Sequence, residues 1–198
     1  LADALGLERF DLVGHSMGGA IATLVAARFP ERIRRLSLIE ALGPLARPAD
    51  NVVADLRRAM DARLALHDKQ LKVHPDRSHA RRARMQANGL TEAAADALVE
   101  RALMPAPGGY VWRSDPRQTL PTPIRGTEEQ YLALLGAISA PTQVIFADPA
   151  TPYLSGRDAE RRLEALRPQQ VLRLAGGHHL HLENPAPVAA AVELFLRS

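Results

Sequence analysis

The sequence predicts an α/β architecture, a parallel sheet flanked by helices and interrupted by a helical insertion. Three observations carry this. An apolar run, Phe10-Asp11-Leu12-Val13, ends in Gly14-His15-Ser16-Met17-Gly18-Gly19 and passes directly into a small-residue helical pattern. A second strand pattern follows after a short link, and strand–helix–strand with short links makes a right-handed crossover between parallel strands. After a long stretch rich in Ala and Arg, strand–helix alternation returns and continues through residue 197.

The elements read in order as follows. Residues 1–6 look like the tail of a helix, with apolar Leu1 and Leu5 and with Gly6 as its C-cap. A strand is expected over 9–14 and a helix over 17–29, with Ile21, Leu24 and Val25 on its apolar stripe and Pro30 as its stop. A strand over 33–39 breaks at Glu40-Ala41-Leu42-Gly43-Pro44. Helices are expected over 49–73, 77–87 and 91–103, and no strand pattern stands out between 44 and 123. Pro105-Ala106-Pro107-Gly108-Gly109 interrupts this region, and Asp115-Pro116-Arg117 reads as a turn held by an ion pair. These features divide the chain into a core, 1–43 with 124–198, and a helical cap insertion, 44–123. Thr127 and Gln130 form a capping box for a helix over 128–138. Strands over 142–147 and 169–174 flank a helix over 156–166. A Gly-His loop, Gly177-His178-His179-Leu180-His181, then leads to an amphipathic helix over 185–197.

Bulk properties exclude several classes. With no Cys, disulfides and thiolate chemistry are absent. No apolar stretch is long enough for a bilayer and no signal pattern opens the chain, so a cytoplasmic address and no membrane partner are expected. The net charge is +3, and the densest basic cluster is Arg77, Arg81, Arg82 and Arg84. No nucleic-acid motif accompanies it, so it reads as a solvated helix face and no nucleic-acid partner is expected. The sequence does not specify an oligomeric state. It opens on Leu1 inside a helical pattern, which reads as a chain beginning part-way through a longer one.

G-x-S-x-G between a strand and a helix places a Ser on a strained turn with its hydroxyl above the sheet end. Gly14 and Gly18 are expected to let the helix start hard against the strand. Ser16 would be a nucleophile and the Met17 N–H an oxyanion donor at the positive helix end. A Ser in this position also serves as an ordinary N-cap. A Ser nucleophile needs a His base, and the base needs an acidic partner. His178, just past a strand, fits the base, with His179 as the alternative. The three clustered His residues lack a nearby Cys or Asp to complete a ligand set, so no metal is expected. Glu40 lies at the end of a parallel strand, where a carboxylate faces the active-site crevice. Asp148 ends another strand and is the alternative acid. His15 and Trp112 are expected to shape the substrate pocket, although Trp112 would equally anchor the insertion.

Taken together, these residues resemble the C-terminal part of an α/β-hydrolase fold, from its fifth strand to its last helix. Residues 110–117, 125–130 and 177–183 resemble the serine hydrolase-like proteins within that superfamily. The resemblance implies that the loop giving the second oxyanion donor lies in the N-terminal half of the fold, outside this chain. It also implies an Asp where this chain has Ala150, and Glu40 resembles the dehalogenase version of the acid. The function implied is hydrolysis of a small apolar ester or related acyl bond, with a small-molecule substrate and no cofactor. The alternatives are a catalytically impaired binding protein of the same fold and a dehalogenase- or epoxide-hydrolase-like enzyme. The last two families use Asp as nucleophile where this chain has Ser16.

Overall fold

The computed structural model describes residues 1–67 and 72–198. They form two compact units, Leu1–Arg47 with Gly126–Ser198, and Pro48–Arg125.

The first unit is built on a four-stranded parallel sheet. Its strands are β1 (Phe10–His15), β2 (Ile33–Ile39), β5 (Thr142–Asp148) and β6 (Gln170–Ala175), in the order β1-β2-β5-β6. Register sets His15 beside Ile39 and Ile39 beside Ile145, so the C-terminal strand ends share one edge. The loops that leave those ends are therefore neighbours. The inner strands are the apolar ones. Val144, Ile145, Phe146 and Ala147 are all at most 1 % exposed, because both faces of β5 are covered.

One face packs on α1 (Met17–Arg28), α5 (Glu128–Gly136) and α6 (Gly156–Leu166). Leu36, Leu38, Val144 and Phe146 meet Ala22, Ala26, Leu135, Ala159 and Leu166 there. The other face packs on the short α7 (Leu180–Glu183) and on α8 (Pro185–Arg197). Ile39, Ile145 and Leu172 meet Leu180, Val188 and Val192. A polar ladder crosses this second face. Ser37 donates to Gln143 at 2.8 Å, and Gln143 donates to Gln170 and to the Ala191 carbonyl. Each buried polar atom in it finds a partner, which avoids a cost of about 1–3 kcal/mol per orphan. Thr127 and Gln130 form the expected reciprocal capping box at the start of α5.

Several expectations need correction. The opening segment is a 3-10 turn, Asp3–Leu5, closed by left-handed Gly6, rather than an α-helical tail. On α1 the buried residues are Gly19, Ala22, Thr23 and Ala26, whereas Ile21 and Leu24 are exposed. The helix lies so near the sheet that only small side chains fit its inner face. Gly18 has open space around it, and Gly19 is the tight position instead. A β-carbon on Gly19 would meet Ala41 Cβ at 2.3 Å, and one on Gly14 would meet the Gly18 carbonyl oxygen at 2.6 Å. The loop after β6 also contains α7, which its His-rich sequence did not suggest.

The second unit holds α2 (Val52–His67), α3 (Arg77–Asn88) and α4 (Glu92–Ala102). Of the helix expected over 49–73, the described part is a 3-10 turn, Ala49–Asn51, followed by α2. Its extension over 68–71 lies outside the described residues. The expectation of no strands fails here. Strands β3 (Leu103–Ala106) and β4 (Gly109–Trp112) pair antiparallel around Pro107-Gly108. What reads as a chain break is a hairpin turn, because Gly108 and Gly109 take positive φ of 81° and 145°. Ala80, Val99 and Leu103 form a small core with Tyr110 and Trp112. Arg117 donates to Asp115 across the expected turn, and this holds the Asp115 carboxyl at about 2.

Among the described residues no helix is long and apolar enough to cross a membrane. Gly14→Ala and Gly19→Ala are expected to destabilise the fold by about 1–3 kcal/mol or more through overpacking. Gly18→Ala is expected to change stability by no more than about 1 kcal/mol. Urea unfolding of the three variants checks this, and equal losses at all three positions would refute the close-approach account.

Candidate active site

The site lies within the first unit, at the C-terminal edge of the sheet. β1 runs into Ser16, which takes φ 50° and ψ −119° before α1 begins. An L-residue adopts that conformation at a cost of roughly 1–3 kcal/mol, and only when its surroundings hold it there. The Ser16 N–H donates to the Ile39 carbonyl at 3.0 Å, which fixes the turn. Ser16 makes no side-chain cap bond to α1, so the N-cap role is not the one its hydroxyl plays. Its Oγ lies 2.8 Å from His178 Nε2.

Glu40 follows β2 and also takes a positive φ, 49°. Its side chain is 1 % exposed. A carboxylate so buried must be paired and hydrogen-bonded. The Ala147 N–H donates to Oε1 at 2.6 Å, and the Thr151 hydroxyl donates to Oε2. His178 Nδ1 lies 3.1 Å from the same Oε2. A carboxylate accepts and does not donate, so neutral His178 carries its proton on Nδ1 and leaves Nε2 to accept from Ser16. Asp148, the alternative acid, is exposed at the end of β5, and its backbone carbonyl accepts from Gly176. Of the two carboxylates, Glu40 is the one at hydrogen-bond distance from His178.

His178 is presented by a loop pinned at both ends. Gly176 takes φ 144°, and the Gly177 N–H donates to Glu183 at 3.0 Å. His15 Nε2 lies 2.7 Å from the His178 carbonyl oxygen and donates to it. His15 thus supports the His178 backbone from behind the turn. Met17 opens α1 with its side chain 60 % exposed. Trp112 belongs to the second unit. Its Nε1 donates to His74 Nε2 at 3.2 Å, and the Arg84 guanidinium lies over its ring.

Sequence reasoning passed over Ala147, Thr151 and Tyr153. The Tyr153 hydroxyl lies 3.1 Å from His178 Nδ1 and 3.3 Å from Nε2. A signal existed: Thr151-Pro152-Tyr153 directly follows the end of a parallel strand, where ligand-facing loops gather. Among the described residues no group of three or more His, Cys, Asp or Glu side chains is arranged to hold a metal ion.

Behind His178, the rings of His15 and His181 lie 4.0 Å apart, with His179 adjacent to both. Burial lowers the His181 pKa from 6.5 to about 4, and the neighbouring imidazoles add to the shift. Burial lowers His15 as well. Unfolded His181 therefore binds a proton between pH about 6.5 and 4 that the folded protein excludes. Stability is expected to fall as pH drops through that window. His181→Phe removes one titrating group and is expected to flatten the decline. Urea midpoints measured from pH 7 to 4 check this, and an unchanged slope in the variant would count against it.

Comparison with known proteins places this geometry in context. A family described as "alpha/beta hydrolase fold" matches residues 1–185. A serine hydrolase-like protein of Danio rerio is 26 % identical over 206 residues, covering 100 % of this chain and 63 % of the relative. The chain thus spans somewhat under two thirds of that relative's length. A hypothetical protein of Pseudomonas aeruginosa PAO1 superposes with a TM-score of 0.87 at 40 % identity, covering 98 % of this chain and 68 % of that one. The thioesterase domain from the curacin biosynthetic pathway gives a TM-score of 0.73 at 29 % identity, covering 96 % and 66 %. The family match spans nearly the whole chain, and the chain belongs to the alpha/beta hydrolase fold family.

Proposed function

We propose that this chain carries the catalytic centre of a serine hydrolase acting on an ester or thioester. Ser16 would be the nucleophile, His178 the general base and Glu40 the acid that orients it. The observation that carries this reading is the unbroken relay from Ser16 Oγ through the His178 ring to the buried Glu40 carboxylate. The similarity to a serine hydrolase-like protein and to a thioesterase domain supports it.

In this reading His178 Nε2 takes the Ser16 proton as Oγ attacks the acyl carbon. Glu40 holds the Nδ1–H tautomer and stabilises the imidazolium that forms. Its other bonds, from Ala147 and Thr151, fix the carboxylate in direction. The Met17 N–H, at the positive end of α1, would receive the developing oxyanion. Water then repeats the sequence on the acyl-enzyme. The residues Ser16 and Glu40 are held at positive φ before any substrate arrives, so little reorganisation would accompany the reaction. The second unit, Pro48–Arg125, is proposed to be the substrate-selecting insertion, from its place in the sequence between β2 and α5.

Ser16→Ala is expected to abolish labelling by a fluorophosphonate probe and to lower hydrolysis of p-nitrophenyl acetate by on the order of 10⁴-fold or more. Labelling or activity surviving in that variant would overturn the reading. Glu40→Gln presents an amide to Nδ1 and favours the wrong tautomer. It is expected to lower kcat about 10³–10⁴-fold with the circular-dichroism spectrum retained. Asp148→Asn is expected to stay near the wild-type rate. The reverse ranking of these two variants would reassign the acid.

A further inference from the structure

Tyr153 has a place at this site that the relay itself does not use. It sits in a single 3-10 turn, Pro152–Leu154, just after β5. The turn is anchored on both sides of Tyr153. Thr151 donates to the Glu40 carboxylate, and Leu154 is buried in the main core. The phenol ring is about half exposed, at 52 %, while its hydroxyl approaches both ring nitrogens of His178. Neither nitrogen is a natural acceptor for it. Nδ1 gives its hydrogen to Glu40, and the Nε2 lone pair receives the Ser16 hydroxyl at 2.8 Å. The ring planes meet at 67°, edge to face. The phenolic hydroxyl thus sits beside His178 Nε2 and Ser16 on a half-exposed side chain, without a dedicated acceptor on the imidazole. Burial raises the phenol above its ordinary pKa and the Glu40 charge raises it further, against hydrogen bonding with Ser16. Tyr153 is therefore an O–H donor through the neutral range.

We propose that Tyr153 is a further catalytic residue, which donates a hydrogen bond to the leaving-group oxygen beside His178 Nε2 and so favours oxygen esters with basic leaving groups. This rests on the serine-hydrolase reading above. A leaving group must come within hydrogen-bond distance of Nε2 to take the proton that Ser16 gave up. Tyr153 lies 3.3 Å from that same nitrogen. In acylation the Ser16 Oγ–C bond forms and the Oγ proton passes to Nε2. The bond from carbon to the leaving oxygen then breaks, and the Nε2 proton passes to that oxygen. Tyr153 keeps its own proton throughout, and its hydrogen bond strengthens as negative charge grows on the leaving oxygen. A basic alkoxide gains most from such a donor, and a nitrophenolate gains less. A thiolate gains little, because sulfur is a weak acceptor.

The test is the leaving-group dependence of kcat/KM, which reports acylation, for the full chain and for Tyr153→Phe. The substrates are p-nitrophenyl, phenyl and ethyl acetate together with ethyl thioacetate. Tyr153→Phe is expected to lose about tenfold on ethyl acetate, with the loss shrinking as the leaving group becomes more acidic and smallest on the thioester. A uniform loss across the series, or no loss, overturns the proposal. Ser16→Ala is assayed in parallel. Activity surviving there overturns the serine reading itself, whereas an inactive Ser16→Ala beside a uniform Tyr153→Phe series overturns only the role of Tyr153.

Discussion

Helix α1 and the sheet approach each other closely enough that two positions have no room for a β-carbon. One at Gly19 would fall 2.3 Å from Ala41 Cβ, and one at Gly14 would fall 2.6 Å from the Gly18 carbonyl oxygen. At this separation the chain must turn from strand to helix within a single residue, and that residue is Ser16. The same contact reaches the second half of the site, because Ala41 directly follows Glu40. The two residues with the most constrained functional geometry, at φ 50° and 49°, are thus coupled through one packing contact. Their backbone strain is offset by hydrogen bonds across the sheet edge, Ser16 N–H to Ile39 and Glu40 N–H to Ile145. The fold stores local strain at this sheet edge and holds it with the buried strands β2 and β5.

The second constraint is electrostatic. Glu40 is sealed from solvent, and a carboxylate there is tolerable only with donors on both oxygens. Those donors come from three separate segments: Ala147 at the end of β5, Thr151 just after it, and His178 after β6. The strand end where the resemblance implied an acid, near Ala150, supplies donors to the Glu40 carboxylate instead. The carboxylate within hydrogen-bond distance of His178 Nδ1 ends the neighbouring strand, β2. The geometry accommodates this because the C-terminal ends of β2 and β5 are adjacent in the sheet.

The second unit was less legible than the first. Its helices announced themselves by composition and by caps: Asp76 accepts from the His79 N–H, and Thr91 from the Ala94 N–H. Its hairpin did not. Strands of four residues are too short to show alternation, and Pro105, Pro107, Gly108 and Gly109 are residues that usually end elements. The pairing of Trp112 with His74 spans 38 residues and leaves no local trace. In the first unit the α1 stripe misled for a related reason. Apolar Ile21 and Leu24 point outward, and the face that packs is made of Gly and Ala, which carry almost no hydrophobic signal.

From the sequence alone came the parallel α/β class, the strand and helix order of the core, the turn at Ser16 and the choice of His178 as the histidine beside it. These rest on local rules: strand periodicity, the glycine demand of a strand-to-helix turn, capping residues, and the position of a His just past a strand. The choice between Glu40 and Asp148 was beyond such rules, because both end parallel strands and both sit in the right chemistry. Tertiary structure decided which carboxylate lies at 3.1 Å from Nδ1, and buried it there. It also brought in Thr151, Tyr153 and the His15 support of the His178 carbonyl, contacts that join residues more than a hundred positions apart or meet across a loop. Local sequence sets what each segment can form, and only the register of the sheet sets which segment ends meet.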